Sequence, residues 1–207
     1  MTIRDRILDD VSRETSDRLN VFHDRLLHWT TSINLIAPST VPHAWERHIL
    51  DSAQVFDFIP PDASRHIDIG SGGGLPGLVI AIIAKEKQPG LASTLIESDQ
   101  RKATFLRSVI RELDLQADVR CARIEAVADV TGDVVTARAL APLDQLLGFV
   151  APLMGPGGVA LLQKGRQAEA EIDLARQSWS FDLVSHVSRT EADARILQIK
   201  DIRRASS

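Results

Sequence analysis

The chain has 207 residues, 44% of them hydrophobic and 25% charged, with a formal net charge of −4. This is enough apolar material for one large α/β domain or two small ones. The mild acidity excludes a global attraction for nucleic acid, so any such contact needs a local basic patch. One cysteine, Cys121, excludes an internal disulfide framework and points to a reducing, cytoplasmic setting.

In chain order, the first sixty residues read as helical. "MTIRDRILDDVSRETSDRLN" carries charges every few residues, unlike a signal peptide or a membrane span, and no later window is long and uncharged enough to span. Helix is expected over residues 3–59. Leu19, Phe22, Leu26, Trp29 and Ile33 recur at spacings of three and four, which marks one helical face. The prolines of "NLIAPSTVP" interrupt this pattern. Trp45, Ile49, Ala53 and Phe56 resume it until "PPD" at 60–62.

Strands then alternate with helices. "RHIDIG" reads as a buried strand that runs into glycines, and Pro76 suits the first turn of the helix "GLVIAIIAKEK". "LASTLIES", "ADVRCARI", "GDVVTARAL" and "VALLQKG" read as strands two to five. Cys121 is expected as a small buried residue of the third strand. Between these strands come the amphipathic "DQRKATFLRSVIRELDL" and then "PLDQLLGFVAPLM", closed by a "GPGG" turn. A polar helix, "RQAEAEIDLARQS", follows the fifth strand. "FDLVSHVS" and "ARILQIKDI" close the chain as an antiparallel pair. The expectation is an α/β, Rossmann-like sheet of seven strands, mostly parallel with the last hairpin antiparallel, in the class I methyltransferase variant. Residues 1–60 form an N-terminal helical cap and 61–207 the cofactor-binding domain, together one compact unit. A monomer is expected.

The loop "DIGSGGGLPG", residues 68–77, should lie at the carboxyl ends of the strands, where such sheets bind ligands. Gly72-x-Gly74-x-x-Gly77 fits a dinucleotide fingerprint. Asp68-x-Gly70-x-Gly72-x-Gly74 fits an S-adenosylmethionine loop. Asp68 inside the strand favours the second reading, because an acid there can hold loop amides or the methionine ammonium group. Glu97, ending the second strand, can accept ribose hydroxyls under either reading. The chain has no tyrosine, so the tyrosine–lysine pair of hydride chemistry is missing. The helix start after Pro76 suits the methionine carboxylate.

The acceptor is narrowed by what the sequence lacks. "ARALAPLDQ" replaces the Asn-Pro-Pro-Tyr type of loop used for exocyclic amines. Cys121 stands in a strand rather than an active loop. Arg138 rather than an acid ends the fourth strand, against a lysine–aspartate set for a 2′-hydroxyl. An acceptor with a free lone pair remains, such as guanine N7, which needs alignment rather than a base. Two other classes fit the loop. One is a methyltransferase of small molecules or proteins, which would leave RNA unmodified. The other is a catalytically silent module that binds S-adenosylmethionine or RNA without turnover.

"WERHILDS", "DIGSGGGLPG", "RKATFLR", "ARALAPL" and "LLQKG" occur in this order across nearly the whole chain. Together they resemble the RsmG (GidB) family of bacterial small-subunit ribosomal RNA guanine-N7 methyltransferases. The resemblance implies methyl transfer from S-adenosylmethionine to guanine 527 of 16S rRNA within the small ribosomal subunit, with no metal and no membrane. It implies cofactor contacts at Gly70, Leu75, Ile124 and Glu125, and places Arg138 near methyl transfer. The expected cofactor set is therefore Asp68, Gly70, Gly72, Gly74, Leu75, Glu97, Ile124, Glu125 and Arg138. Arg47, His48, Asp51 and Lys164 are expected with Arg138 on the acceptor side, Ser52 beside them. By spacing alone, Arg47 and Asp51 are a helical i, i+4 ion pair. Ala137, Leu140 and Pro142 depart from the family's usual loop. An RNA patch is expected from Arg47, Lys164, Arg166, Lys200, Arg203 and Arg204. The run Arg101, Lys102, Arg107 and Arg111 reads equally as a solvated face or a phosphate site.

Overall fold

The computed structural model describes residue 8 and residues 11–205. Residues 3–7, 9 and 10 of the expected first helix lie outside the described residues. Helix α1 (Arg13–Thr30) starts at Ser12, whose side chain accepts from the Thr15 amide. Glu86 accepts from the Ser12 amide and hydroxyl and from the Thr15 hydroxyl, which ties the start of α1 to the next helix. Leu19, Phe22 and Leu26 are fully buried, as the periodicity predicts. Ile33 is buried too, but beyond the helix end.

After a 3-10 stretch (Pro38–His43), the second cap helix is not regular. It runs as a π-helix (Trp45–Leu50), one α turn (Asp51–Ala53) and a 3-10 end (Gln54–Phe58). The cap shares one apolar cluster with the sheet domain, in which Phe22 and Leu26 join Leu78, Ile82, Phe105 and Leu106.

The sheet comprises β1 (Arg65–Ile69), β2 (Ala92–Ile96), β3 (Ala117–Arg120), β4 (Gly132–Arg138), β5 (Met154–Lys164), β6 (Trp179–Val187) and β7 (Arg195–Arg204). Their order is β3-β2-β1-β4-β5-β7-β6. β1 to β5 are parallel, and β7 runs antiparallel to both β5 and β6. Helices α2 (Gly77–Lys87), α3 (Gln100–Glu112), α4 (Leu143–Val150) and α5 (Ala168–Ala175) make the crossovers. The chain order reverses between β1 and β4, which pair in register from His66↔Val134 to Ile69↔Ala137. The crevice above their carboxyl ends is therefore the expected place for a ligand.

Two local expectations are corrected. "GPGG" is not a closing turn; Gly155–Gly158 lie inside β5, where β4 and β5 shift register between Gly132 and Val134. A Cβ on Gly158 would stand 2.9 Å from the Gly155 carbonyl oxygen and 3.2 Å from that of Gly132, so close backbone approach is what the glycine serves. Cys121 falls just outside β3 and is only half-buried, its Sγ donating to Gln100 Oε1 at 3.0 Å.

A polar thread crosses the buried centre of the sheet. His66 pairs with Ser93 Oγ at 2.9 Å and with Thr136 Oγ1 at 2.8 Å. Thr136 donates to Asp68 Oδ1 at 2.6 Å. Thr136 must therefore accept from His66 Nε2, and His66 Nδ1 from Ser93. Burial holds the His66 imidazole neutral, its pKa pushed down to about 3.

Candidate active site

The glycine loop joins β1 to α2. Gly70, Gly72 and Gly74 have φ of 63°, 54° and 82°, a region that only glycine enters freely. Glu97, at the end of β2, braces this loop. Its Oε2 accepts from the Gly72 amide at 2.8 Å and its Oε1 from the Asp99 amide at 2.7 Å. Ribose hydroxyls would have to share these oxygens, each of which keeps a second lone pair. A cavity of about 480 Å³ opens here, with Gly70, Gly72, Glu97, Ile124, Glu125 and Leu140 in its wall.

Four expected cofactor contacts stand elsewhere, Arg138 among them, in the wall of the neighbouring cavity. Leu75 is buried in the apolar cluster under the cap, and the Gly74 Cα faces Leu78 rather than the cavity. Asp68 lies wholly buried beneath the loop. Its Oδ2 makes no well-formed hydrogen bond and rests against Gly77, where an added Cβ would stand 2.6 Å away. Burial pushes the Asp68 carboxyl up to about 6, against the pull of its hydrogen bond from Thr136.

A second cavity, of about 430 Å³, adjoins the first, and Ala139 belongs to both walls. Ala139 sits at φ 51°, a strained setting for alanine at the join. Arg47, His48, Asp51, Arg138, Gln163 and Lys164 line this second cavity. All five acceptor-side residues expected from the sequence, Arg47, His48, Asp51, Arg138 and Lys164, stand in this wall, and the fold brings together residues more than a hundred positions apart.

The pairing within the cluster differs from expectation. Arg47 does not pair with Asp51; it meets Glu191 Oε2 at 2.9 Å. Asp51 instead is a hub. Its carboxylate takes Arg138 Nη1 at 3.2 Å, Gln163 Nε2 at 2.7 Å, Gln54 Nε2 at 2.9 Å and Thr190 Oγ1 at 2.8 Å. These donors come from β4, β5, the cap and the β6–β7 turn. Arg138 also donates to the Arg47 carbonyl at 3.2 Å and to His48 Nδ1. Because arginine only donates, His48 Nδ1 is an acceptor and its Nε2–H faces Thr40 Oγ1 at 2.8 Å. Lys164 is held by Glu171 at 2.6 Å and the Ala141 carbonyl at 2.8 Å. Gln163, Thr190 and Glu171 were not anticipated. Only Gln163 left a signal, as a polar residue ending an apolar strand.

The expected RNA patch does not form as one surface. Arg47 and Lys164 line the second cavity, and Arg166 pairs with Asp193 at 3.6 Å. β7 runs back towards the amino ends of the parallel strands. It carries Lys200 and Arg203 to a separate cavity beside Gly155–Gly158, and Arg204 onto the Trp179 ring at 4.0 Å.

Residues 15–199 match the GidB family, described as rRNA small subunit methyltransferase G. The chain belongs to this family. GidB relatives include the ribosomal RNA small subunit methyltransferase G of Parvibaculum lavamentivorans, 48% identical over 94% of this chain and 87% of that protein. That of Ruegeria sp. is 47% identical over 94% and 95%. Among solved structures, an O-methyltransferase from Bacillus cereus in complex with SAH superposes with a TM-score of 0.58. Its identity is 15%, and 96% of this chain and 95% of that one are covered. A ribosomal protein L11 methylase from Lactobacillus delbrueckii subsp. bulgaricus gives 0.58 at 14% identity, over 74% and 78%. At these identities the likeness shows the fold, which is the class I methyltransferase sheet expected from the sequence. S-adenosylmethionine, the cofactor of that expectation, agrees with the GidB assignment. No metal-binding group of His, Cys, Asp or Glu occurs among the described residues, and no described helix is long and apolar enough to cross a membrane.

The GidB cluster makes a prediction about charge. Burial, then the nearby Arg138 and Arg47 cations, pushes the His48 imidazole down to about 4. A histidine whose pKa falls on folding stabilises the native state above its unfolded value, and that contribution is lost as pH falls from about 6.5 towards 4. An NMR titration of His48 is expected to show a midpoint near 4. A midpoint near 6.5 would contradict the neutral, Arg138-facing imidazole.

Proposed function

We propose that the chain transfers a methyl group from S-adenosylmethionine to N7 of a guanine in 16S rRNA, the position-527 guanine named by the resemblance. The observation that carries this reading is that the acceptor cavity offers no free buried base. His48 uses both nitrogens, Asp51 is saturated with donors, and Glu171 and Glu191 are paired with Lys164 and Arg47. Glu46, an exposed wall residue, is the carboxylate there without a partner among the described residues. Such a site suits an acceptor that attacks through its own lone pair. It would serve an amine or hydroxyl poorly, because those must lose a proton.

The first cavity fits the cofactor. Gly70 and Gly72 bring bare backbone to its wall, Glu97 and Glu125 supply acceptors, and Ile124 supplies an apolar surface. When bound, S-adenosylmethionine supplies an electrophilic methyl group on a sulfonium. The chain's own part is to hold and orient. Arg138 uses three of its five N–H donors within the protein, which leaves two for acceptors such as guanine O6. Asp51 and His48 then act as positioning residues that hold Arg138. Proximity and alignment carry most of the rate.

Incubating the protein with labelled S-adenosylmethionine and small subunits that lack the modification is expected to give labelled 7-methylguanine, mapped by chemical cleavage of the RNA. Label confined to protein or small molecules would replace this reading. Cofactor binding without turnover would indicate a silent module.

A further inference from the structure

The cations of the two cavities differ in what already holds them. Around the acceptor cavity each basic side chain has a carboxylate partner: Arg47 with Glu191, Arg138 with Asp51, Lys164 with Glu171 and Arg195 with Glu169. Around the cofactor cavity Arg123 has none among the described residues, and Lys102 feels only the Asp99 charge at the start of its helix, without an ion pair.

Lys102 belongs to α3, and the helix continues the pattern. Arg101, Arg107 and Arg111 are exposed and fall within a third of the helix circumference. Arg111 has no partner among the described residues. Arg107 donates only to the Val119 carbonyl at 3.1 Å, and Arg101 stands 4.0 Å from Asp99. Of the acids nearby, Glu112 is committed to Arg25, and Asp118 and Asp129 to Arg120, which leaves Asp99 at the start of α3 and Glu125 in the cavity wall. Among the described residues, a chain of net charge −4 thus carries on α3 a basic stripe with little carboxylate compensation, about 15 Å long, on the same helix whose Lys102 lines the cofactor cavity.

We propose that this stripe, α3 with Arg123, is the docking surface for the phosphate backbone of the substrate RNA. It rests on the reading of the chain as an rRNA methyltransferase. Exposed guanidinium groups held by no close carboxylate bind phosphates at little cost in existing ion pairs, here only the long Arg101–Asp99 contact. The paired cations of the acceptor cavity would have to give up a carboxylate first. Lys200 and Arg203 are also unpaired among the described residues, but they lie at the opposite ends of the parallel strands.

The test uses the full chain and small subunits lacking the modification. Arg101→Ala/Arg111→Ala is expected to raise KM for subunits about tenfold, with kcat and S-adenosylmethionine affinity unchanged. The slope of log affinity against log salt should fall by about 1.4–1.8, the loss of two phosphate contacts. Lys200→Ala/Arg203→Ala should change neither quantity. An unchanged KM and slope in the first variant overturns the proposal, as does an equal loss in the second. If the stripe met an acidic protein face instead, the first variant would lose affinity for subunits but not for protein-free 16S rRNA, which also overturns it. A wild-type protein that leaves subunit RNA unlabelled overturns the functional reading itself, before any variant is made.

Discussion

Replacing Arg138 by alanine is expected to lower turnover on small subunits by about 100- to 1,000-fold and to destabilise the fold by about 2–4 kcal/mol. Both effects come from one geometry. The guanidinium is largely buried, with 18% of its side chain exposed, and faces an equally enclosed Asp51. Burial lowers its pKa from the ordinary arginine value, and Asp51 opposes that shift. The group stays cationic, because a guanidinium is effectively always protonated in proteins. Truncation would leave the Asp51 charge buried with neutral donors only, and the residual exposure keeps the cost below that of a fully enclosed pair. It would also leave the Arg47 carbonyl and His48 Nδ1 without their donor. Arg138→Lys keeps a charge but not a planar fork with three separate partners, so it should recover stability in part and little turnover. Chemical denaturation and single-turnover methyl transfer measure the two effects. Turnover within threefold of wild type for Arg138→Ala would remove this residue from the site.

Replacing Asp68 by asparagine is expected to move stability and cofactor affinity in opposite directions. An acid whose pKa rises on folding, here from 3.8 to about 6, binds its proton more tightly in the native state. Stability therefore falls as pH rises between those values, and the full penalty stands above about pH 6. At pH 7 that penalty is at most about 3 kcal/mol. The neutral, isosteric asparagine relieves it, so the unliganded variant should gain roughly 1–3 kcal/mol. The cofactor carries a net positive charge, which the buried carboxylate favours. Removing that charge should weaken binding by on the order of 10- to 100-fold, roughly 1–3 kcal/mol, through the weakly screened attraction between a buried carboxylate and the cofactor's cation. For the same reason, wild-type affinity should decline as pH falls below about 6. Calorimetric titration and thermal unfolding at pH 7 supply both readings. A variant that melts lower and binds the cofactor normally would make Asp68 a structural acid only.

Much of this protein is readable from sequence because its elements are set locally. Apolar periodicity marks α1 through Leu19, Phe22 and Leu26. Buried strands bounded by turn signals mark the parallel sheet, and Asp68 before the glycines selects the loop. The misread features are those where local rules meet a tertiary constraint. Arg47 and Asp51 sit four apart, but the chain winds there as a π-helix, whose wider turn takes them out of i, i+4 register. "GPGG" has turn chemistry, yet pairing with neighbouring strands draws it into β5.

The sequence by itself determined the element order, the antiparallel closing pair, the glycine loop and five of the polar side chains that line the acceptor cavity, Arg47, His48, Asp51, Arg138 and Lys164. The tertiary structure alone decided which charges meet which. Coulomb attraction and hydrogen bonding act over a few ångströms of space, whereas sequence orders residues only along the chain. Asp51 therefore belongs to Arg138 and Gln163 rather than to Arg47. β7, running back along the sheet, takes Lys200 and Arg203 away from the site. The same pairing leaves the α3 arginines without a close carboxylate among the described residues, a distinction that no count of basic residues contains.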